Sequence, residues 1–298
     1  MKGPITGTFI DEITYDIPSS NWSDRQWKDE LAIMKEIGID TIIFIRGGFG
    51  TKTIFPCECL HTTNQKDFAG LILREAAELD MKVYFGLYIS NIDWNRGDYK
   101  TEIKINRAFI REVYARYGDL PSFEGWYIPH ETSKNILHIS NLMGGLGELC
   151  KNCDPSKKVL ISPFFESRIL APEHYLTPDQ HFEEWRGILE KAGQYIDVCA
   201  FQDGTAPLQE MTAYYSSVRK LCDKFDISLW VNAETFERDV RCMYYPIPFS
   251  DLKEKLTLHQ QYAEKIITFE FSHFMSPQSI YPSAHNLFDR YKECYHLS

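Results

Sequence analysis

Eight short runs of apolar, β-branched and aromatic residues recur along the chain, each separated from the next by an amphipathic stretch. They are PITGTFI from Pro4, DTIIFIRG from Asp40, KVYFGLY from Lys82, EGWYIPHE from Glu124, KVLISPFF from Lys158, DVCAFQDG from Asp197, ISLWVNAE from Ile227 and IITFEFSH from Ile266. A parallel strand buried on both faces needs such a continuous apolar run. Between the runs, apolar residues return every three or four positions: Trp27, Leu31, Met34 and Ile37; Ile136, Ile139, Met143, Leu146 and Leu149; Met211, Tyr214, Val218, Leu221 and Phe225. That spacing places each set on one helical face. Asp24 and Thr177-Pro178 read as helix starts, and Gly38 as a stop. Strand and helix alternating eight times predict an α/β fold, the (β/α)8 TIM barrel, with residues 1–298 as one domain. A doubly wound open sheet would carry a Gly-rich turn after its first strand, and GTFIDEI has none. The runs share no repeated motif, which argues against a solenoid.

The charge balance narrows the partners. A net charge of −10 argues against nucleic acid, whose phosphates need a basic surface. No apolar stretch approaches the length of a membrane span, and Met1 to Phe9 lacks the pattern of a secretory leader. Several of the eight cysteines sit inside apolar runs, as in DVCAF, which fits free thiols in a reducing cytoplasm. Cys150 and Cys153 form a lone C-x-x-C without a second pair, so no structural metal is expected there. Aromatic residues reach 14%, a composition that suits a cleft stacking flat rings on sugar faces.

In barrels the catalytic face is built by the loops that follow the strands. Here those loops are long: GGFGTKTIFPCECLHTTNQ after the second run, ESRILAPEHYLTPDQ after the fifth, TFERDVRCMYYPIPFS after the seventh. Polar groups close otherwise apolar strands at Asp11, Arg46, Tyr88, His130, Glu131, Gln202, Asp203, Asn232, Glu234 and Glu270. Ionisable groups at such positions are costly unless solvated or paired at a site.

Glu131 and Glu234 are the sharpest pair, since they end the fourth and seventh runs and so face each other across the mouth. Glycoside hydrolysis needs two carboxyl groups flanking the scissile bond, one protonated and one ionised. The expected substrate is a carbohydrate, either an oligosaccharide or a glycoconjugate. Its binding residues would be Asp11, Arg46, Tyr88, Trp126, His130, Gln202, Asp203, Trp230, Asn232 and Glu270, with Trp94 and Phe164 as further stacking surfaces. Strand alternation would set Glu270 and Ser272 on one face, with Arg46 as a partner for Glu270. Neither a metal nor another cofactor is expected: the first run lacks the H-x-H of metal-dependent barrel hydrolases, and no nucleotide-binding Gly-rich loop or G-x-S-x-G is present. The alternative is a non-catalytic carbohydrate-binding barrel.

The stretch W-x-x-x-L-x-x-M-K-x-x-G-I-D-T (Trp27 to Thr41) and the motif F-Q-D-G (Phe201 to Gly204) resemble an uncharacterised bacterial barrel family of glycoside-hydrolase-like proteins. The fourth-strand and seventh-strand Glu resemble the pair of the retaining (β/α)8 glycoside hydrolases. That resemblance implies a retaining mechanism with Glu131 as acid/base and Glu234 as nucleophile. The hydrolase clan has Asn immediately before its fourth-strand Glu, and this chain has His130 there.

Overall fold

The computed structural model describes residues 3–14, 19–60, 62, 64, 66–238 and 243–297. Eight parallel strands close into a barrel: β1 (Ile5–Ile10), β2 (Thr41–Phe44), β3 (Lys82–Gly86), β4 (Phe123–Ile128), β5 (Lys158–Ile161), β6 (Val198–Gln202), β7 (Ser228–Asn232) and β8 (Lys265–Thr268). Strand order follows the sequence around the barrel, and Ile5 pairs with Ile266 to close it. The helices α1 (Asp24–Ile37), α2 (Phe68–Glu78), α3 (Tyr99–Tyr117), α4 (Ile139–Cys153), α5 (Pro178–Ala192), α6 (Leu208–Phe225), α7 (Phe249–His259) and α8 (Pro282–Tyr295) alternate with the strands. This is the (β/α)8 TIM barrel that the eight runs predict.

Local chemistry starts and stops these helices. Ser23, one residue before the expected start, caps α1 in a capping box with Gln26. Gly38 ends the helix at a φ of 103°, a left-handed value that glycine adopts without penalty. Thr177 caps α5, with Pro178 in its first turn. α4 begins only at Ile139, so Ile136 lies outside the helix and is exposed.

Strand parity divides the core into two layers. Phe9, Ile43, Tyr84, Tyr127, Leu160, Ala200, Trp230 and Ile267 fill the barrel interior. Their strand neighbours, such as Ile10, Ile42, Phe85, Trp126, Val159, Phe201 and Val231, point outward into a second layer against the helices. Side chains alternate along a strand with period two, so every second residue faces each way. On β6 and β7 the inward parity runs through Ala200 to Gln202 and through Trp230 to Asn232, which brings both amides to the mouth.

Candidate active site

The strands end around a cavity of about 420 Å³ at the C-terminal mouth, and Asp11, Arg46, Glu131, Gln202, Asn232 and Glu234 all line it. Each is anchored by its neighbours. Asp11 Oδ1 accepts hydrogen bonds from the Ile13 and Thr14 amides and from the Thr14 hydroxyl, at 3.2, 3.1 and 2.7 Å, which folds the loop after β1. Arg46 donates to Thr14 Oγ1 at 2.7 Å, and its guanidinium lies 5.3 Å from the centre of the Phe49 ring. Gln202 Nε2 donates to the Ser162 carbonyl at 2.7 Å. Asn232 is almost fully buried, and its Oδ1 has no protein partner. A ligand hydroxyl is the kind of donor this oxygen lacks.

Glu131 is half-buried, and its Oε1 accepts the Tyr127 hydroxyl at 2.8 Å. Burial raises its pKa, while the positive charge of Arg46 and the Tyr127 hydrogen bond oppose the rise. Glu234 is buried, and its pKa is pushed up to about 7, first by burial and then by the nearby charge of Asp203. Lys255 and Arg238 pull in the other direction, and the charge on Glu131 adds to the rise. The two carboxyl groups therefore interact across the cavity. Both carboxyl pKa values are raised; Glu234, at about 7, can hold a proton near neutral pH, and Glu131 sits beside a cation that favours its charged form. The resemblance to retaining hydrolases implies the acid role for Glu131 instead.

The rest of the wall comes from the long loop after β7 and from the segment after β8. Strands Phe236–Arg238 and Tyr244–Pro246 form an antiparallel hairpin that carries Phe236, Arg238, Met243 and Tyr244 to the rim. Phe269, Phe274, Tyr281 and His273 close the other side. His273 Nδ1 lies 2.7 Å from Glu270 Oε1, and its Nε2 lies 3.0 Å from Ser19 Oγ, which in turn contacts Glu12. Burial opposes a charge on His273, but Glu270 outweighs it and raises the pKa. A second cavity, of about 480 Å³, shares Glu234, Phe236 and Arg238 with the first, so Glu234 stands between two clefts.

Five residues expected to touch a sugar lie away from this cavity. Trp126 has the outward parity of β4, with no exposed surface, and packs against Phe123 and Phe85 at ring distances of 5.0 and 6.5 Å. Trp230 faces inward but at the opposite end of the barrel, 5.8 Å from Tyr84 and under Lys265. Tyr88 packs on Phe109, and its hydroxyl donates to the Gly50 carbonyl at 3.0 Å. His130 turns toward the helices, edge-on to Trp94 at 5.1 Å and 3.9 Å from Glu102 Oε1. Glu270 follows the end of β8 and is fully buried; it pairs with His273, and Arg46 points to Thr14 instead. Strand alternation cannot extend to Ser272, because Phe271–Phe274 is a helical turn.

Asp203 is also fully buried, yet it belongs to the site's support. Its Oδ1 lies 2.8 Å from Lys255 Nζ and accepts the Glu234 amide at 3.0 Å, while Oδ2 lies 2.8 Å from His259 Nε2. Despite its burial, Lys255 and His259 hold the Asp203 pKa below the usual carboxylate value. Gly204 lies in the tight turn after β6, closed by the Ala206 amide donating to the Asp203 carbonyl at 3.0 Å, and it also leaves room: a Cβ there would overlap Glu234 Oε2.

Residues 5–281 match the family described as domain of unknown function DUF4434. The chain belongs to this family. No curated protein matches the DUF4434 chain. Among solved structures, a "putative alpha-L-fucosidase" from Bacteroides thetaiotaomicron VPI-5482 is 38% identical with a TM-score of 0.94, covering 100% of this chain and 94% of its own. An intracellular xylanase from Thermoanaerobacterium saccharolyticum, 12% identical with a TM-score of 0.54, matches 90% of this chain and 85% of its own. A β-D-glucuronidase from Dictyoglomus thermophilum, 14% identical with a TM-score of 0.58, matches 98% of this chain and 51% of its own. The last two share the fold with the DUF4434 chain. All three carry the names of glycoside hydrolases.

The residues of the DUF4434 chain that sequence reasoning missed are Thr14, Phe236, Arg238, Met243, Tyr244, Phe269, Phe274 and Tyr281; all lie outside the eight barrel strands, in the connecting segments at the mouth. The length and aromatic content of TFERDVRCMYYPIPFS was the one signal that pointed to four of them.

Proposed function

We propose that this chain hydrolyses a glycosidic bond of an oligosaccharide or glycoconjugate, with Glu131 and Glu234 as the catalytic carboxyl pair. One observation carries the reading. Both groups line a single cavity at the strand C-termini, with polar side chains at its floor and Phe236, Tyr244, Phe274 and Tyr281 around it. Hydroxyl-binding amides below and ring faces above are what a sugar ring requires.

In this reading Glu234 is the acid, supported by its pKa raised to about 7, and Glu131, beside Arg46, is the nucleophile. Glu234 would donate to the leaving oxygen, while ionised Glu131, steadied by Arg46 and Tyr127, attacks the anomeric carbon. The resulting glycosyl ester is then displaced by water that Glu234 deprotonates, which gives retention. α-L-Fucosides head the substrate panel, because the relative of 38% identity bears that activity in its name.

The test is turnover of a panel of aryl glycosides by the unmodified chain, Glu131→Gln and Glu234→Gln. Glu131→Gln should be dead on every substrate. Glu234→Gln should keep measurable activity on activated aryl leaving groups, which need little protonation, and azide should restore it with retained configuration. The opposite pattern would restore the roles implied by the retaining-hydrolase resemblance. Failure of the unmodified protein on the whole panel, with sugar binding still detectable, would favour the non-catalytic barrel.

A further inference from the structure

The loop between β2 and α2 carries Cys57 and Cys59, and Glu112 on α3 reaches across to them. Cys57 Sγ lies 3.5 Å from Cys59 Sγ and 3.4 Å from Glu112 Oε2. Among the described residues this is the one group of three His, Cys, Asp or Glu donors whose ligand atoms all fall within 4.8 Å of one another. None of the three lines the cavity at the mouth.

We infer that Cys57, Cys59 and Glu112 form a binding site for a thiophilic divalent cation of the Zn²⁺ class, with water in the fourth position. Distances are the first argument. An ion held tetrahedrally at about 2.3 Å from sulfur and about 2.1 Å from oxygen separates two sulfurs by about 3.8 Å and a sulfur from an oxygen by about 3.6 Å. The observed separations are within about 0.3 Å of both, so binding needs only small side-chain rotations. They are far from the length of about 2.05 Å of a disulfide bond.

The second argument is the way Glu112 is held. Arg116 Nη2 lies 3.0 Å from its Oε1, and the Glu58 amide donates to the same oxygen at 2.8 Å. The Cys59 amide donates to Oε2 at 2.8 Å, leaving that oxygen a second lone pair directed at the sulfurs. Outer hydrogen bonds that fix a ligating carboxylate are the usual support of a metal ligand. Charge nearly closes as well: two thiolates, Glu112 and Glu58, which also pairs with Arg116 at 2.9 Å, carry −4 against +3 from a divalent ion and Arg116, and Glu58 is exposed to solvent. Access follows from burial, since Cys57 is nearly enclosed and Cys59 is exposed, leaving an open side for the ion and its water.

The experiment uses the full chain, reduced and freed of metal with a chelator. Cd²⁺ is titrated while the ultraviolet thiolate-to-metal band is followed, and Zn²⁺ affinity is read by competition with a chromophoric chelator. One equivalent should bind. Cys57→Ser and Cys59→Ser should each weaken binding by 100-fold or more and remove the band's full intensity. Glu112→Gln should weaken it by about 10- to 100-fold. Cys153→Ser should bind as the unmodified chain does. Zn²⁺ should also raise the unfolding temperature of the unmodified chain but not of Cys57→Ser. The inference is overturned if no ion binds at micromolar concentration, or if the Cys57→Ser/Cys59→Ser double variant binds unchanged.

Discussion

Asp203 Oδ1 accepts the backbone N–H of Glu234 at 3.0 Å and meets Lys255 Nζ at 2.8 Å, so one buried carboxylate ties the end of β7 to helix α7. Lys255 also donates to the Glu234 carbonyl at 3.1 Å. The backbone at Glu234 is thus clamped on both sides by a pair that lines the second cavity and not the one at the strand ends.

Asp203→Asn should therefore behave as the loss of a support. It leaves Lys255 buried opposite a neutral amide, a change that costs about 3–5 kcal/mol where one partner of a buried ion pair is removed. Denaturant unfolding should show that loss, and kcat should fall tenfold or more while KM changes little. An increase in KM alone, with normal stability, would mean that Asp203 touches sugar after all.

Gly204→Ala isolates the position of Glu234 from its chemistry. The added methyl would stand where Glu234 Oε2 now lies, so the carboxyl group must swing away. Activity is expected to fall by about a hundredfold, the scale of a 1 Å misplacement. Gly204 is exposed, and the unfolding midpoint should move little. Unchanged kcat would show that Glu234 has freedom the packing does not suggest.

Trp126 and Tyr244 separate core from rim. Trp126→Ala empties a fully buried site between Phe85 and Phe123 and should cost about 3–5 kcal/mol of stability. Tyr244 is 45% exposed and lines the cavity. Tyr244→Ala should leave the unfolding midpoint nearly unchanged and raise KM severalfold. The reverse result, a stable Trp126→Ala with weakened substrate binding, would contradict the placement of Trp126 in the outer layer.

Glu30 offers a test through pH. It is fully buried on α1, accepts from Ser276 and Gln278 through Oε2, and has no partner for Oε1. Burial pushes its pKa up to about 7 from 4.5. The folded chain then holds a proton that the unfolded chain has released. This contribution to stability is complete below about pH 4.5 and is lost as pH rises through 7, about 3 kcal/mol in all. Glu30→Gln should flatten the decline in unfolding free energy between pH 5 and pH 7.5. An identical slope in the variant would show that Glu30 is ionised in the folded state.

The barrel was legible because its evidence is local and periodic. Runs such as VYF in β3 and VLI in β5 state their burial on both faces, and Ser23, Gly38 and Thr177 punctuate helices through their own backbone preferences. Residues at strand ends were legible for the same reason: Asp11, Arg46, Glu131, Gln202, Asn232 and Glu234 all close apolar runs and meet at the mouth. Reading aromatics failed where the side of the strand, or the end of the barrel, decides the outcome. Trp126 and Tyr127 are adjacent and equally suited to a sugar, yet one faces helices and the other the lumen.

The sequence by itself determined eight strand–helix units and the polar groups that end the strands, since hydrophobic period and capping act over a few residues. Only the tertiary structure decided which of those groups reach the cavity. Asp203 and Glu270 carry carboxylates as Glu131 and Glu234 do, but contacts with Lys255, His259 and His273, 3 to 56 residues away, bury the first two. The proton on Glu234 has the same origin. Its affinity depends first on burial and then on the charges of Asp203, Lys255 and Glu131, all brought together by barrel closure, and both follow distance in space, which no spacing along the chain reveals.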